Sequence, residues 1–229
     1  MVHNVSLRIG KAGLVPILLV ALVVSTPLLY ASDESATRFW TFDGNRPNSL
    51  PDQFAVGTMF DGRPAGEWKV LQTGKAQSPP QVLGQVMGKG AEHAYKMVLF
   101  TELQPSDLDL RVALLPIDGK ADMGGGLIWR ATDDRNYYLT RANPLEQNIR
   151  IYRVVKGIRH LLQNFDTTID VRKWHTLRVI TRGCHIQVLF DDQQAFEMCD
   201  ETFKAGHIGL WTKSDAVTYF DDLKLRVFH

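Results

Sequence analysis

Short apolar runs separated by turn-forming residues fill the chain from Arg38 to its end. Strands at this spacing, with turn signals between them, are typical of an all-β sandwich or barrel. No stretch holds the i, i+3, i+4, i+7 apolar stripe of a helix over three turns. Residues 72–90, rich in glycine and proline, predict a long loop with at most one short strand. The segments with the strongest strand character are Phe39–Phe42, Trp68–Leu71, Leu108–Leu115, Gly126–Trp129, Asn136–Arg141, Ile149–Val155, Trp174–Thr181, His207–Trp211 and Thr218–Phe228.

The N-terminal segment 1–31 differs in pattern from the rest of the chain. Met1–Gly13 is basic and lacks acids, Leu14–Val24 is apolar throughout, and the segment ends on a small residue, Ala31. A basic start, a short apolar core and a small-residue exit are the parts of a secretory signal peptide. The alternative is an uncleaved N-terminal membrane anchor over residues 14–30, which is short for a bilayer span and holds two prolines.

With that segment set aside, residues 32–229 are predicted to form a single β-sandwich domain without internal repeats or a linker. The expected location is outside the cytoplasm, periplasmic or secreted, or else on a membrane if residues 14–30 stay attached.

The chain contains 26 Lys and Arg residues and 25 Asp and Glu residues, which gives a formal net charge of +1. Because nucleic-acid binders usually carry a basic surplus, no nucleic-acid partner is expected. A near-neutral domain also has no overall attraction to an anionic membrane, so membrane contact is expected only through residues 14–30.

The familiar catalytic and cofactor motifs are missing from the sequence. It contains no HExxH motif, no GxSxG motif, no phosphate loop and no pair of histidines at metal-ligand spacing. No cofactor is therefore expected. A structural calcium ion stays open as an alternative, because carboxylates are plentiful.

Two cysteines, Cys184 and Cys199, flank a strand–turn–strand pattern with Asp191–Asp192 at the turn. If these aspartates form a two-residue turn, Cys184 faces Cys199 directly, and an oxidising compartment permits a disulfide. A shift of one residue in the turn breaks this match and leaves two separate, half-buried thiols as the alternative. The disulfide is the favoured interpretation, and no CxxC spacing indicates a reactive cysteine.

The last strand changes its alternation pattern in the middle. Phe220 has the opposite parity to Leu223 and Leu225, so the two halves present their apolar side chains to one face only if the strand is interrupted. A bulge at Asp221–Asp222 would reconcile them. Either acid could then turn inward to hold a neighbouring loop or a cation.

Several segments together resemble the concanavalin A-like (laminin-G-like) jelly roll, in the branch that includes the 3-keto-disaccharide hydrolase type domain. They are Gly125–Arg130, Asp134–Tyr138, Asn148–Tyr152, Trp174–Arg178, Gly206–Thr212 and Phe220–Leu223. The resemblance implies a two-sheet antiparallel jelly-roll sandwich with a concave face that commonly holds sugars. It also implies that the first strand pairs near the last. Because this fold hosts lectins, glycosidases and adhesion modules, it specifies architecture better than activity.

One polar and aromatic cluster is the candidate ligand-binding site. A sugar binder needs flat aromatic faces and directional hydrogen-bonding groups, and these residue types supply both. Strand alternation puts Tyr137 on one face and Tyr138 on the other, so not all members can line one groove. The alternative is a turn network that keeps strand register, with the tyrosines in the core. The candidate residues are Arg130, Asp134, Tyr137, Tyr138 and Arg141, continued on the next strand by Arg150 and Tyr152.

The three tryptophans of this region, Trp129, Trp174 and Trp211, are interpreted as core residues rather than as sugar platforms.

Most glycosidases need two catalytic carboxyl groups about 5–5.5 or about 6.5–9.5 Å apart. Glucanases of the resembled fold carry acid-x-Asp-x-x-Glu on one strand, and the nearest stretch here, Asp107–Val112, ends on valine instead of glutamate.

The sequence therefore favours an exported carbohydrate-binding domain whose ligand is undefined. A glycoside hydrolase, like the 3-keto-disaccharide hydrolases, is the second hypothesis, without assigned catalytic residues. A cell-envelope structural or protein-interaction domain is the third.

Overall fold

The computed structural model describes Met1 and residues 37–59, 63–91, 93–171 and 173–228. The predicted signal peptide or anchor lies outside the described residues, apart from Met1. Within the described ranges the regular elements are fifteen β-strands. None of these residues belongs to a helix long and apolar enough to cross a membrane.

The strands follow one another with short connections. In chain order they are β1 Thr37–Trp40, β2 Phe54–Thr58, β3 Trp68–Gln72, β4 Gln81–Gln85, β5 Tyr95–Phe100, β6 Asp107–Asp118, β7 Gly125–Asp133, β8 Asn136–Asn143, β9 Asn148–Val155, β10 Ile158–Asp166, β11 His175–Arg182, β12 His185–Phe190, β13 Gln193–Cys199, β14 His207–Lys213 and β15 Val217–Phe228.

The strands form two antiparallel sheets. The eight-stranded sheet has the order β13-β12-β11-β6-β15-β4-β3, with β1 also paired to β15, and the seven-stranded sheet has the order β10-β9-β8-β7-β14-β5-β2. This confirms the predicted two-sheet jelly-roll sandwich. The first strand pairs with the last, Trp40 opposite Leu223, as the resemblance implies. The glycine- and proline-rich stretch 72–90 contains β4 as its one complete strand, since only Gln72 of β3 also falls within it.

Alternation along the strands builds the core between the sheets. Leu108, Leu110 and Val112 of β6 point inward and are fully buried against side chains such as Leu127 and Trp129 of β7. Burying a large apolar side chain stabilises the fold by roughly 1.5–3 kcal/mol. The side chains between these inward-facing positions point to the two outer faces of the sandwich.

The β15 strand contains the predicted bulge. Its register against β6 shifts between Asp221 and Lys224, and Asp222 has a φ of 49°. The Asp221 carboxylate accepts a hydrogen bond from the backbone N–H of Ser78 (2.9 Å), and the Asp222 carboxylate accepts one from the Ser78 hydroxyl (2.8 Å). The two acids thus hold the loop before β4, one of the two roles expected for them.

Burial of Asp221 makes folding depend on its protonation. Burial raises the pKa of Asp221 to about 6, since the ionised form loses water. Its contribution to stability is therefore complete below the unfolded-state pKa and is lost as the pH rises through about 6. We expect Asp221→Asn to remove a fall of about 1–3 kcal/mol in the free energy of unfolding between pH 4 and pH 7. Urea titrations at several pH values measure this, and an unchanged slope in the variant would contradict it.

Cys184 and Cys199 form a disulfide with a Cα–Cα distance of 4.8 Å. The expected register, with Cys184 directly facing Cys199, is wrong. Phe190 pairs with Gln193 as the two-residue turn requires, but a bulge shifts the pairing by one residue, so that Cys199 pairs with His185. The bond therefore joins neighbouring rather than directly opposed positions of β12 and β13.

Candidate functional site

The outer face of the seven-stranded sheet is concave. Arg159 belongs to β10 and Tyr95 to β5, and β9, β8, β7 and β14 lie between these strands. In a flat sheet the two strands would stand about 24 Å apart, at ~4.8 Å per strand. The guanidinium carbon of Arg159 nevertheless lies 4.5 Å from the ring centre of Tyr95 and 5.0 Å from that of Tyr152. Side chains from both flanks meet only because the sheet curves, and we call this surface the concave face.

Aromatic side chains fill the centre of the concave face. Trp211 stacks on Tyr95 with their ring centres 5.7 Å apart, and Arg159 lies over both rings. Tyr137 is fully buried beside them, and its hydroxyl contacts the sulfur of Met59 at 3.4 Å. We call Tyr95, Tyr137, Tyr152 and Trp211 the aromatic centre. These side chains pack against one another, so Trp211 offers no free ring surface to a ligand in this structure.

Polar side chains occupy the neighbouring part of this face, near the β8–β9 turn. Arg141 and Arg150 are directly opposed on β8 and β9, and the Glu146 carboxylate bridges them at 2.9 and 2.7 Å. Arg141 also donates to Asn148 Oδ1 at 2.6 Å, and Arg150 donates to Asn164 Oδ1 at 2.8 Å. We call these five residues the polar cluster.

The side chains of the polar cluster differ in how far they are exposed to solvent. The side chain of Arg141 is 4% exposed, whereas those of Glu146 and Arg150 are 37% and 31% exposed. The buried arginine is thus a fixed support, and the carboxylate and the second guanidinium face solvent. The cluster presents oriented donors and acceptors together, which is the chemistry that sugar hydroxyls require.

The neighbouring charges favour the ionised form of Glu146. Partial burial alone would raise the pKa of Glu146, but the charges of Arg141 and Arg150 and the hydrogen bonds from Arg141 and Asn148 outweigh it and lower that pKa. Asp122 behaves in the opposite way. Burial raises its pKa, although Lys213 lies 3.3 Å away and Arg141 also acts on it. Two carboxyls with opposite pKa shifts therefore lie around Arg141.

A buried glycine, Gly126, lies between the polar cluster and the aromatic centre. Gly126 of β7 pairs with Arg141 on one side and with Trp211 on the other. A Cβ at this position would lie 2.3 Å from the Thr140 carbonyl oxygen, so that no larger side chain fits. Glycine in a strand interior often marks a place where another group approaches the backbone closely.

Two of the sequence-predicted residues lie away from the concave face. Tyr138 points into the core, stacks on Trp129, and donates its hydroxyl hydrogen to Asp200. Arg130 is buried at one end of the sandwich, where it donates to the carbonyls of Ser106, Phe203 and Gly183 and to Asp107. Both therefore have structural partners and do not join the other candidates.

The remaining sequence-predicted residues lie either in the β7–β8 turn or on the concave face. Asp134 is half-buried in the β7–β8 turn, and its Cβ lies near Gly57 of β2. Tyr137 and Tyr152 belong to the aromatic centre, and Arg141 and Arg150 to the polar cluster. Tyr137 and Tyr138 thus lie on opposite faces of the sheet, as strand alternation predicts.

Sequence reasoning missed Glu146, Asn148 and Asn164 as members of the site. Asn148 could have been found because it lies two residues before Arg150 on β9 and so shares its face. Asn164 could have been found because it lies on β10, the next strand of the hairpin, opposite Arg150. Glu146 lies in a turn, where strand parity gives no direction.

The acids of the glucanase-like stretch have other partners. Asp109 accepts two hydrogen bonds from Arg178, at 2.7 and 2.6 Å, and Asp107 is bonded to Arg130. Across the described ranges no group of three or more His, Cys, Asp or Glu residues is arranged to hold a metal ion.

Comparison with known proteins agrees with this architecture. No family model matches the chain. The chain is 26% identical over 109 residues to the levanase of Bacillus subtilis, a match that covers 46% of this chain and 16% of that protein. The chain thus spans only a small part of its curated relative.

Solved structures match over more of the chain. The carbohydrate-binding module CBM66 from Bacillus subtilis superposes with a TM-score of 0.60 at 20% identity, over 76% of this chain and 95% of that one. The β-glucanase of Bacillus licheniformis superposes with a TM-score of 0.57 at 11% identity, over 84% and 99%. The fold is therefore that of the concanavalin A-like sandwiches.

Proposed function

We propose that this protein binds carbohydrate through the polar cluster on its concave face. The observation that carries the proposal is the fixed arrangement of Arg141, Glu146 and Arg150, in which a buried guanidinium orients a carboxylate and a second guanidinium that face solvent. Such pre-orientation lowers the entropy that ligand binding costs. The similarity to the levanase over part of the chain, and the shared fold with a carbohydrate-binding module, support the same function.

Export of the domain is part of this proposal. The disulfide between Cys184 and Cys199 supports it, because disulfides persist in oxidising compartments. The basic and apolar pattern of residues 1–31 agrees with a secretory signal.

Glu146→Gln should weaken glycan binding roughly 10- to 100-fold. The variant removes the charge that bridges Arg141 and Arg150, and a hydrogen bond to a charged group contributes about 1.5–3 kcal/mol. Isothermal titration with levan, β-glucan and xylan oligosaccharides, and with 3-keto-glycosides, measures the affinity. The matched control is Glu102→Gln, an exposed acid that pairs with Arg38 away from the cluster. If Glu146→Gln binds every tested sugar as tightly as the wild type, this site assignment is wrong.

Glycoside hydrolysis is the second candidate function. The observation that favours it is the pair Asp122 and Glu146, since opposite pKa shifts in neighbouring carboxyls suit a general acid and its partner. Proton NMR of the same oligosaccharides over time separates the two functions. New anomeric signals that vanish in Asp122→Asn would establish hydrolysis, whereas line broadening without new signals would establish binding alone.

A further inference from the structure

One tryptophan lies outside the core of the sandwich. Trp174 is half-buried and, among the described residues, belongs to neither of the two apolar clusters. The interpretation of Trp174 as a core residue is therefore wrong. Trp174 directly precedes β11, whose first residue, His175, pairs with Leu114 of β6. Since Leu114 points into the core, alternation places Trp174 and Leu115 together on the outer face of the eight-stranded sheet.

Trp174 lines an open cavity of about 550 Å³ on this outer face. Leu115 and Pro116 are buried, whereas Lys75 is exposed and Val171 is 42% exposed. The lining thus changes from buried apolar side chains to an exposed rim that includes an amine. The volume lies in the range of small-molecule sites. We call this the Trp174 cavity, and its lining residues are Lys75, Leu115, Pro116, Ile117, Val171 and Trp174.

Hydrogen bonds hold the two loops that border the Trp174 cavity. The indole N–H of Trp174 donates to the carbonyl oxygen of Lys75 at 2.8 Å, which ties the β3–β4 loop to the start of β11. The same loop is bonded through Ser78 to the two acids of the β15 bulge. In the β10–β11 loop, both backbone groups of Ile169 are bonded to the Gln147 side chain. The cavity is therefore preformed, and an occupant does not have to order these loops.

The lining of the Trp174 cavity suits one class of ligand. The Trp174 ring offers a flat apolar surface on which the C–H face of a sugar ring packs. A sugar with hydroxyl groups only would place one of them, without a partner, against the buried side chains of Leu115 and Pro116, which is costly. An acetamido group avoids this cost, because its methyl group fills the apolar bottom and its carbonyl oxygen accepts a hydrogen bond from Lys75 at the rim. A wholly apolar ligand would leave much of its surface in water at that rim.

We propose that the Trp174 cavity is a second glycan site, which takes an N-acetylated amino sugar. The sugar ring packs on Trp174, the acetamido methyl group contacts Leu115, and the Lys75 ammonium donates to the acetamido oxygen. The cavity lies on the opposite sheet from the polar cluster and shares no residue with it. The proposal therefore does not rest on the proposed function.

Acrylamide quenching of tryptophan emission, measured on the full chain with three matched sugars, tests the proposal. Chitotetraose, the chitosan tetramer and cellotetraose differ only in the group on the second ring carbon, which is acetamido, ammonium or hydroxyl. We expect chitotetraose to protect the emission at a roughly 10- to 50-fold lower concentration than the other two, which lack the buried methyl group and one hydrogen bond. Trp174→Phe should abolish the protection, since the signal arises at the cavity. Equal protection by chitotetraose and cellotetraose would overturn the proposal.

Isothermal titration of variants with chitotetraose is the second test. Trp174→Ala should weaken binding roughly 10- to 100-fold, because it removes the ring face. Trp174→Phe keeps an aromatic face and should stay within about 5-fold of the wild type, which separates loss of contact from loss of fold. Lys75→Met should weaken binding roughly 3- to 10-fold and leaves the carbonyl that holds Trp174 in place. The matched control, Phe39→Ala, removes a 56% exposed ring from the same sheet outside the cavity and should bind as the wild type does.

The remaining outcomes of these tests separate the Trp174 cavity from other sites and other ligands. Glu146→Gln should keep its chitotetraose affinity, and a loss in that variant would place the amino sugar at the polar cluster and overturn the proposal. Undiminished binding by Trp174→Ala would overturn it too. Binding of the apolar dye anilinonaphthalene sulfonate at Trp174, without binding of chitotetraose, would assign the cavity to an apolar ligand instead.

Discussion

Arg130→Met should lower the free energy of unfolding by about 3–4 kcal/mol. The Arg130 side chain is 2% exposed and donates to three backbone carbonyls and to Asp107. Methionine keeps the apolar volume but leaves these acceptors without a donor, and a buried acceptor without a partner is costly. Arg130 belongs to the seven-stranded sheet, whereas its acceptors lie at the start of β6, in the β11–β12 turn and in the loop before β14, so the loss should weaken one end of the sandwich. Urea unfolding followed by tryptophan fluorescence measures the change.

The control for this variant is Arg46→Met, an exposed arginine whose replacement should change stability by less than about 0.5 kcal/mol. Glycan affinity after Arg130→Met gives a second readout, because Arg130 lies away from the concave face.

A folded Arg130→Met protein should bind sugar as the wild type does. A variant that keeps its stability and loses binding would place the ligand at the end of the sandwich instead.

Removing the disulfide should cost about 3 kcal/mol of stability. Cys184 and Cys199 are 15 residues apart in sequence, and in the chain-entropy description a cross-link over a loop of that length stabilises by about this amount. We expect the double variant Cys184→Ser with Cys199→Ser to unfold at correspondingly lower urea concentration.

Reductant provides the internal control for the disulfide. Dithiothreitol should shift the wild type towards the double variant and leave the double variant unchanged. A wild type whose unfolding is insensitive to reductant, and whose thiols react with a maleimide before reduction, would contradict the bond.

The architecture could be predicted because it depends on local patterns. Turn residues between short apolar runs indicate the strands, and the change of parity between Phe220 and Leu223 locates the bulge of the last strand. The same rule separates Tyr137 from Tyr138. It fails at Arg130, which has a φ of 50° at a shift of register in β7 and therefore points to the end of the sandwich.

The rest of the candidate sites depends on information that strand patterns lack. Glu146 lies in the β8–β9 turn, so its direction follows from the turn geometry rather than from alternation. The Trp174 cavity joins segments that are far apart in sequence. Local patterns cannot reveal it, because the strand order that places β6 beside β11 is a property of the whole fold.

Chemical-shift mapping with the sugar bound tests whether the ligand lies on the polar cluster. Isotope-labelled protein is titrated with the levan, β-glucan and xylan oligosaccharides, and the shifted amides and the guanidinium signals of Arg141 and Arg150 are identified. We expect saturable shifts confined to residues 141–152 and to Asn164. Saturable shifts at the Arg130 end of the sandwich, or no shifts with any of these sugars, would contradict it.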